Sequence, residues 1–343
     1  MDKFSFFILN IFINSFLAFF TVALLVEGII FLFRIRQGRW TASLRTLPLL
    51  KLVLDLFLYD FSRWSYAQGI NPLTCEEGTR TLSILTGYPT SSIQFTAPSN
   101  TTFTLADLVA YSLPSMWLHT LALLIVCCSL FFLIKKCATY YRSFKFLHTL
   151  SQNSQPLSRE VGSASLKAYL QKSKALVLAP SNFASSPFVA GWMHPVVYIS
   201  SSLSTTLSQQ EYDSVLAHES EHIRYKDNLT RLILGFIQSL FWWIPTKWLQ
   251  NRIEEGQEIG CDLHCKKYGI DPVDLASAIS KSAHYFVNTS YLPLTHSLTK
   301  RSIFKRVHAL LHFSPIRKTR LVSYVLGTAI ACLVIFLGRF WIF

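Results

Sequence analysis

A nearly unbroken apolar run at residues 4–33 sets the first limit on this chain. It is long enough to cross about 30 Å of hydrocarbon at about 1.5 Å per residue. Within lipid, a single segment must satisfy its own backbone, which only a helix does. The run lacks the basic start, short apolar core and small-residue cleavage site of a removable signal peptide, so a membrane helix is expected. Residues 108–134 form a second strong run, closed by Lys135 and Lys136, and residues 321–343 a third. Residues 44–64 are weaker, because Lys51, Asp55 and Asp60 lie inside them and charge at that depth is expensive. Only 15% of the 343 residues are charged and 51% are hydrophobic. A soluble protein carries about 25% charged residues, so part of this chain is solvated by lipid.

Basic clusters decide how often the chain crosses. Arg34, Arg36, Arg39 and Arg45 follow the first run; Lys135, Lys136, Arg142 and Lys145 follow the run at 108–134; Arg317, Lys318 and Arg320 precede the last. Positive charge beside an apolar segment marks the cytosolic side. Four crossings place all three clusters there, whereas three would turn the first away from the others. The expected organisation is a membrane region at 1–134, with spans at 4–33, 44–64 and 108–134 and an outer loop at 65–107. A cytosolic domain at 135–320 and a fourth transmembrane helix at 321–343 complete it. This describes a multi-pass protein of the cell (plasma or inner) membrane with the bilayer as a partner. Of the seven cysteines, only Cys75 lies well inside an outer segment, and no disulfide framework is evident. The net charge of +13 belongs to the membrane face; no recognition motif accompanies it, so no nucleic-acid partner is expected.

Within the cytosolic part, residues 158–174 read as an amphipathic helix, and 175–179, 187–192 and 195–200 as short β segments. Residues 229–248 are apolar enough to pass for a fifth span, but crossing there would divide the chemistry described next. Pro245 and Phe241-Trp242-Trp243 point instead to a helix buried in the domain or resting at the membrane interface. Ser208 followed by Glu211 is a capping-box start for a helix carrying His218-Glu219-Ser220-Glu221-His222.

Histidines four apart on a helix lie one turn apart on one face, where two imidazoles can hold one Zn²⁺. Glu219 falls beside such a metal, placed to take a proton from water. A solvated face with two incidental histidines gives the same five letters; the capped start and the preceding Val215-Leu216-Ala217 favour a ligand helix packed on a core. A catalytic zinc also needs a third protein ligand and an open position. A second helix expected over 252–268 offers Glu258 for this, with Glu254 and Glu255 as competitors on spacing. Asp227 and Asp262 are candidate carboxylates to orient the ligating imidazoles. Cys261, His264 and Cys265 share a helical face and form a rival metal set, for which small buried cysteines are the plainer reading. Glu221 is expected to face outward, and His284, His296, His308 and His312 to be surface or packing histidines.

These residues carry a resemblance to the membrane-embedded zinc metallopeptidases of the BlaR/MecR type. Ser186-Pro187-Phe188-Val189-Ala190-Gly191 and His194-Pro195-Val196-Val197-Tyr198-Ile199 resemble that family's hairpin ahead of the active site. The stretch from His218 to Asp227 is similar to its extended zinc motif. Trp243-Ile244-Pro245 and Glu258-Ile259-Gly260-Cys261-Asp262 resemble its Trp-x-Pro turn and Glu-x-x-Cys-Asp segment. The likeness covers roughly residues 110–320 and implies His218, His222 and Glu258 as ligands and Glu219 as base. The sensor–transducers carry an extracellular penicillin-binding domain after the last span, and this sequence stops at Phe343, so sensing by that route is not expected.

The resulting expectation is a mainly α membrane protein with four transmembrane helices and a cytosolic α+β zincin-like metallopeptidase domain. It would bind one Zn²⁺ per chain and hydrolyse peptide bonds of a protein substrate, in regulated proteolysis or signalling. The substrate would pair as a strand beside Phe188, Val189, Ala190 and Gly191, since edge pairing reads backbone. Two rivals stand beside this: a quality-control or processing protease of the HtpX or CaaX type, and a non-catalytic membrane scaffold with a relic zinc site. Retention of Glu219 argues against the scaffold, because a structural zinc has no use for a base.

Overall fold

The structure, a computed structural model, describes residues 3–35, 38–57, 115–180, 186–289, 300–312, 322 and 324–333. Its first helix, α1 (Lys3–Leu32), matches the opening apolar run. Phe19 and Val26 turn inward onto α2 (Gly38–Phe57), where Ala42, Leu44, Leu49 and Leu52 meet them, while Leu24, Phe31 and Leu32 point outward. The short apolar helix Tyr324–Leu333 joins the same cluster through Tyr324 and Ala331. Helix α2 starts earlier than the span expected at 44–64; residues 58–64 and the outer loop 65–107 lie outside the described residues.

Helix α3 (Ser115–Gln152) does not stop at Lys135-Lys136. Lysine is a good helix former and no glycine or proline intervenes, so the charges end the apolar character and leave the helix intact for about four more turns. The stretch His119–Gln152 is long and apolar enough to cross a membrane, and Leu123, Leu130, Phe131 and Ile134 are exposed on it.

A small mixed sheet follows, in the order β1-β2-β4-β3. Strands β2 (Leu176–Pro180), β3 (Phe188–Ala190) and β4 (Val196–Tyr198) fall where alternating apolar residues between turn signals place them. β2 and β4 pair in parallel and β3 pairs antiparallel with β4. The polar edge strand β1 (Ser154–Pro156) was not legible in the sequence: it forms because β2 offers a free edge to it. Between β1 and β2 runs α4 (Ala164–Ser173), shorter than expected because Ser163 caps it.

After the short α5 (Ser201–Thr206) come α6 (Gln209–Tyr225), α7 (Asp227–Leu240) and α8 (Lys247–His264), the last ending in a 3-10 turn, Cys265–Tyr268. Helices α9 (Pro272–Thr289) and α10 (Lys300–Leu311) close the domain. Tyr212, Val215, Leu216 and Ala217 of α6 bury against Leu166, Ile199, Leu203 and Leu275. The ambiguous stretch 229–248 becomes α7 and its following turn, packed onto the long apolar helices. Leu234, Ile237, Phe241 and Ile244 share a cluster with Phe19, Leu49 and Leu52, and Trp243 Nε1 donates to Ser15 Oγ at 3.1 Å.

Candidate metal centre

The capping box at the start of α6 is formed in both directions: Glu211 N–H donates to Ser208 Oγ and Ser208 N–H to Glu211 Oε2. Burial raises the Glu211 carboxyl, but hydrogen bonds from Lys281, Ser277 and the Ser208 backbone outweigh it and hold the group at about 2. So fastened, α6 presents His218 and His222 to α8, both buried. It ends at Lys226, which takes the left-handed conformation (φ +53°) and lets α7 begin at once. This turn returns Asp227 beneath His222, with Oδ2 2.6 Å from His222 Nδ1.

The two Nε2 atoms lie 3.2 Å apart. Glu258 Oε2 is 3.4 Å from His218 Nε2, and Oε1 is 3.6 Å from His222 Nε2. Ligands on a tetrahedral zinc at about 2.0–2.1 Å stand about 3.3 Å from one another, so the donor set fits that ion. Both imidazoles are oriented for it. His218 Nδ1 meets Asp262 Oδ1 at 2.8 Å and His222 Nδ1 meets Asp227; a carboxylate there makes Nδ1 the donor and leaves the Nε2 lone pair free. Burial alone would raise the Glu258 carboxyl, yet His222, Arg306 and the His218 hydrogen bond hold it well below the usual range, ionised as a ligand must be. Glu219 is buried beside His218 in sequence, and no hydrogen bond or ion pair engages its carboxylate among the described residues.

Against this geometry, a family model for the BlaR1 peptidase M56 matches residues 21–268. The chain belongs to that family. The matched span includes α2 and runs to the end of the 3-10 turn, so it holds both histidines, Glu219, Asp227, Glu258 and Asp262. A protease HtpX homolog of Archaeoglobus fulgidus is 25% identical over 174 residues, covering 48% of this chain and 50% of that protein. The chain thus spans about half the length of that relative.

The structure sorts the residues that compete in the sequence for a place at this centre. Glu254 accepts from Gln250 at 2.7 Å and Glu255 pairs with Lys305, so neither turns to the histidines. The rival set of Cys261, His264 and Cys265 does not converge: His264 Nδ1 donates to Gly260 O at 2.6 Å and Cys265 Sγ to Cys261 O at 3.2 Å. Burial pushes both thiols well up, keeping them protonated. Glu221 is a correction. Instead of facing outward it is 0% exposed, accepting from Tyr268 Oη at 2.9 Å and pairing with Lys267, because that face of α6 is covered by the 3-10 turn. His308 and His312 stack on each other at 4.2 Å on the outside of α10, and His296 lies outside the described residues.

Three residues of the site escaped sequence reasoning. Arg306 grips Asp262 at 2.7 and 2.8 Å and reaches Glu258 at 3.1 Å. Arg39 grips Asp227 at 2.6 and 2.8 Å from a position 188 residues earlier. Each histidine is therefore backed by a carboxylate and each carboxylate by an arginine. Asn228 Nδ2 donates to Val189 O at 3.0 Å and Gly191 O at 3.2 Å, tying the edge strand to the first turn of α7. No local spacing announces any of these contacts; Arg39 reads only as a member of a basic cluster, and nothing in the sequence marks Arg306.

Proposed function

We propose that the chain is a zinc metalloendopeptidase embedded in a membrane by four helices, cutting a protein substrate at the cytosolic face. The observation that carries this is the convergence of His218, His222 and Glu258 at zinc spacing, with Asp262 and Asp227 orienting the imidazoles. Zinc bound there would supply a Lewis acid that polarises a scissile carbonyl and acidifies water. Glu219 takes the proton of the attacking water and returns it to the leaving nitrogen. The four-span topology draws support from the packing of α1, α2 and Tyr324–Leu333 into one apolar cluster and from the exposed apolar surface of α3.

Substrate is read as an extended segment laid beside β3. The position of β3 at the end of the sheet supports this. Asn228 occupies one lone pair on Val189 O and on Gly191 O, leaving the second on each for a substrate N–H. The likeness to a protease HtpX homolog favours a second reading, a membrane quality-control protease working through the same centre.

Glu219→Gln tests the mechanism. It keeps size and hydrogen-bonding shape but cannot accept a proton, and losing general-base catalysis lowers rates by about 10²–10⁴. The variant is expected to fold and hold zinc while losing cleavage of itself or of co-expressed substrate. Proteomes of cells carrying wild type and Glu219→Gln would reveal the substrate, and would separate regulated from quality-control proteolysis by how many proteins change. Cleavage at the wild-type rate by Glu219→Gln would sink the mechanism.

A further inference from the structure

Helix α2 leads into the segment expected to cross the membrane, yet its first turn lies inside the metal centre. It crosses α8 where neither helix has room for side chains. A Cβ on Gly256 would stand 2.7 Å from Gly38 O and 3.1 Å from the Ala42 Cβ, and one on Gly38 would stand 2.7 Å from the Gly260 backbone N. At this crossing the Arg39 stem lies over Gly260, where any Cβ would collide with it. The guanidinium then spans the site. Nη1 and Nη2 hold the two oxygens of Asp227, Nη2 also lies 2.7 Å from Cys261 Sγ, and the plane covers the Tyr225 ring at 4.1 Å. The Oδ2 atom that Nη2 holds is the same one that accepts from His222 Nδ1.

We propose that Arg39 is a positioning residue of the metal centre, contributed by α2, so that zinc affinity depends on the seating of α2 on α8. The inference rests on the reading of His218, His222 and Glu258 as the ligands. A carboxylate held on both oxygens by a planar fork has one orientation left, and that orientation sets the imidazole it serves. Lysine, a point donor, leaves the carboxylate free to rotate. Close helix contact through Gly38, Ala42, Gly256 and Gly260 makes the crossing rigid, which gives the membrane region a handle on the catalytic centre.

The test uses the full chain in nanodiscs, with zinc affinity from chelator competition and the absorption spectrum of the cobalt-substituted protein as a report on ligand geometry. Arg39→Ala should weaken zinc by about tenfold or more and shift the cobalt bands, with Arg39→Lys in between. Should Arg39→Ala fail to fold, Arg39→Lys carries the same comparison. Gly256→Leu, which pushes α2 off α8 while keeping Arg39, should weaken zinc to a similar extent. Combining it with Arg39→Ala should add little, since both act through one contact. Wild-type zinc affinity and cobalt spectrum in Arg39→Ala or in Arg39→Lys would overturn the inference, as would full additivity in the double variant. If His218→Ala,His222→Ala bound zinc as wild type does, the ligand reading itself would fall, an outcome separate from any result at Arg39.

Discussion

Asp262→Ala asks whether the buried carboxylates, beyond the imidazoles, hold the centre together. Asp262 is 2% exposed and accepts from His218 Nδ1 at 2.8 Å and from Arg306 at 2.7 and 2.8 Å. Removing it strands a guanidinium that is itself 7% exposed, with Glu258 at 3.1 Å as its remaining carboxylate. Breaking one side of a buried pair costs about 3–5 kcal/mol. The surviving Glu258 contact puts this case at the lower end, about 3 kcal/mol, against a total stability of about 5–15 kcal/mol for a typical domain. Replacing both charges, Asp262→Leu with Arg306→Met, should recover part of the loss, because apolar groups of similar volume substitute for an ion pair at little net cost. The assay is denaturation of the metal-free, detergent-solubilised full chain followed by tryptophan fluorescence. A single variant within about 1 kcal/mol of wild type, well under the range for a broken buried pair, would refute the reasoning. So would a double variant less stable than the single one.

Zinc at 100 times its dissociation constant should stabilise the protein by about 2.7 kcal/mol, reversed by chelator and missing in His218→Ala,His222→Ala; a zinc response in that variant would place the metal elsewhere. Glu211→Gln should lower the thermal midpoint at neutral pH. The folded Glu211 carboxyl is held at about 2 against about 4.3 when unfolded, so its contribution is present above the unfolded value. It fades as pH falls toward the folded one, and the gap between wild type and Glu211→Gln should close below about pH 4. A gap that stayed constant to pH 2 would show that the charge of Glu211 contributes nothing. Reporter fusions at Ser154 and Leu298 should report cytosol and one at Ser99 the outside; a cytosolic signal at Ser99 would remove the second crossing.

What could be read from the sequence acts over short distances along the chain. Ser208 and Glu211 announce the start of α6, and that helix then puts His218 and His222 on one face whatever else the fold does. Glu258 was legible as a candidate third ligand only beside Glu254 and Glu255, because spacing along a helix names a face and not its neighbour. The crossing of α8 with α2 and α10 turned Glu258 to the histidines and gave Glu255 to Lys305. Lys135 and Lys136 marked where apolar sequence stops, but helix propensity continued α3 past them. Glu221 went inside because Lys267 and Tyr268 were waiting there, 46 and 47 residues further on. Arg39 shows the division most clearly: beside an apolar run, a positive charge reads as a marker of the cytosolic side. Only tertiary packing, through glycines that let α2 and α8 meet backbone to backbone, brings that charge onto Asp227 and makes it part of the metal centre.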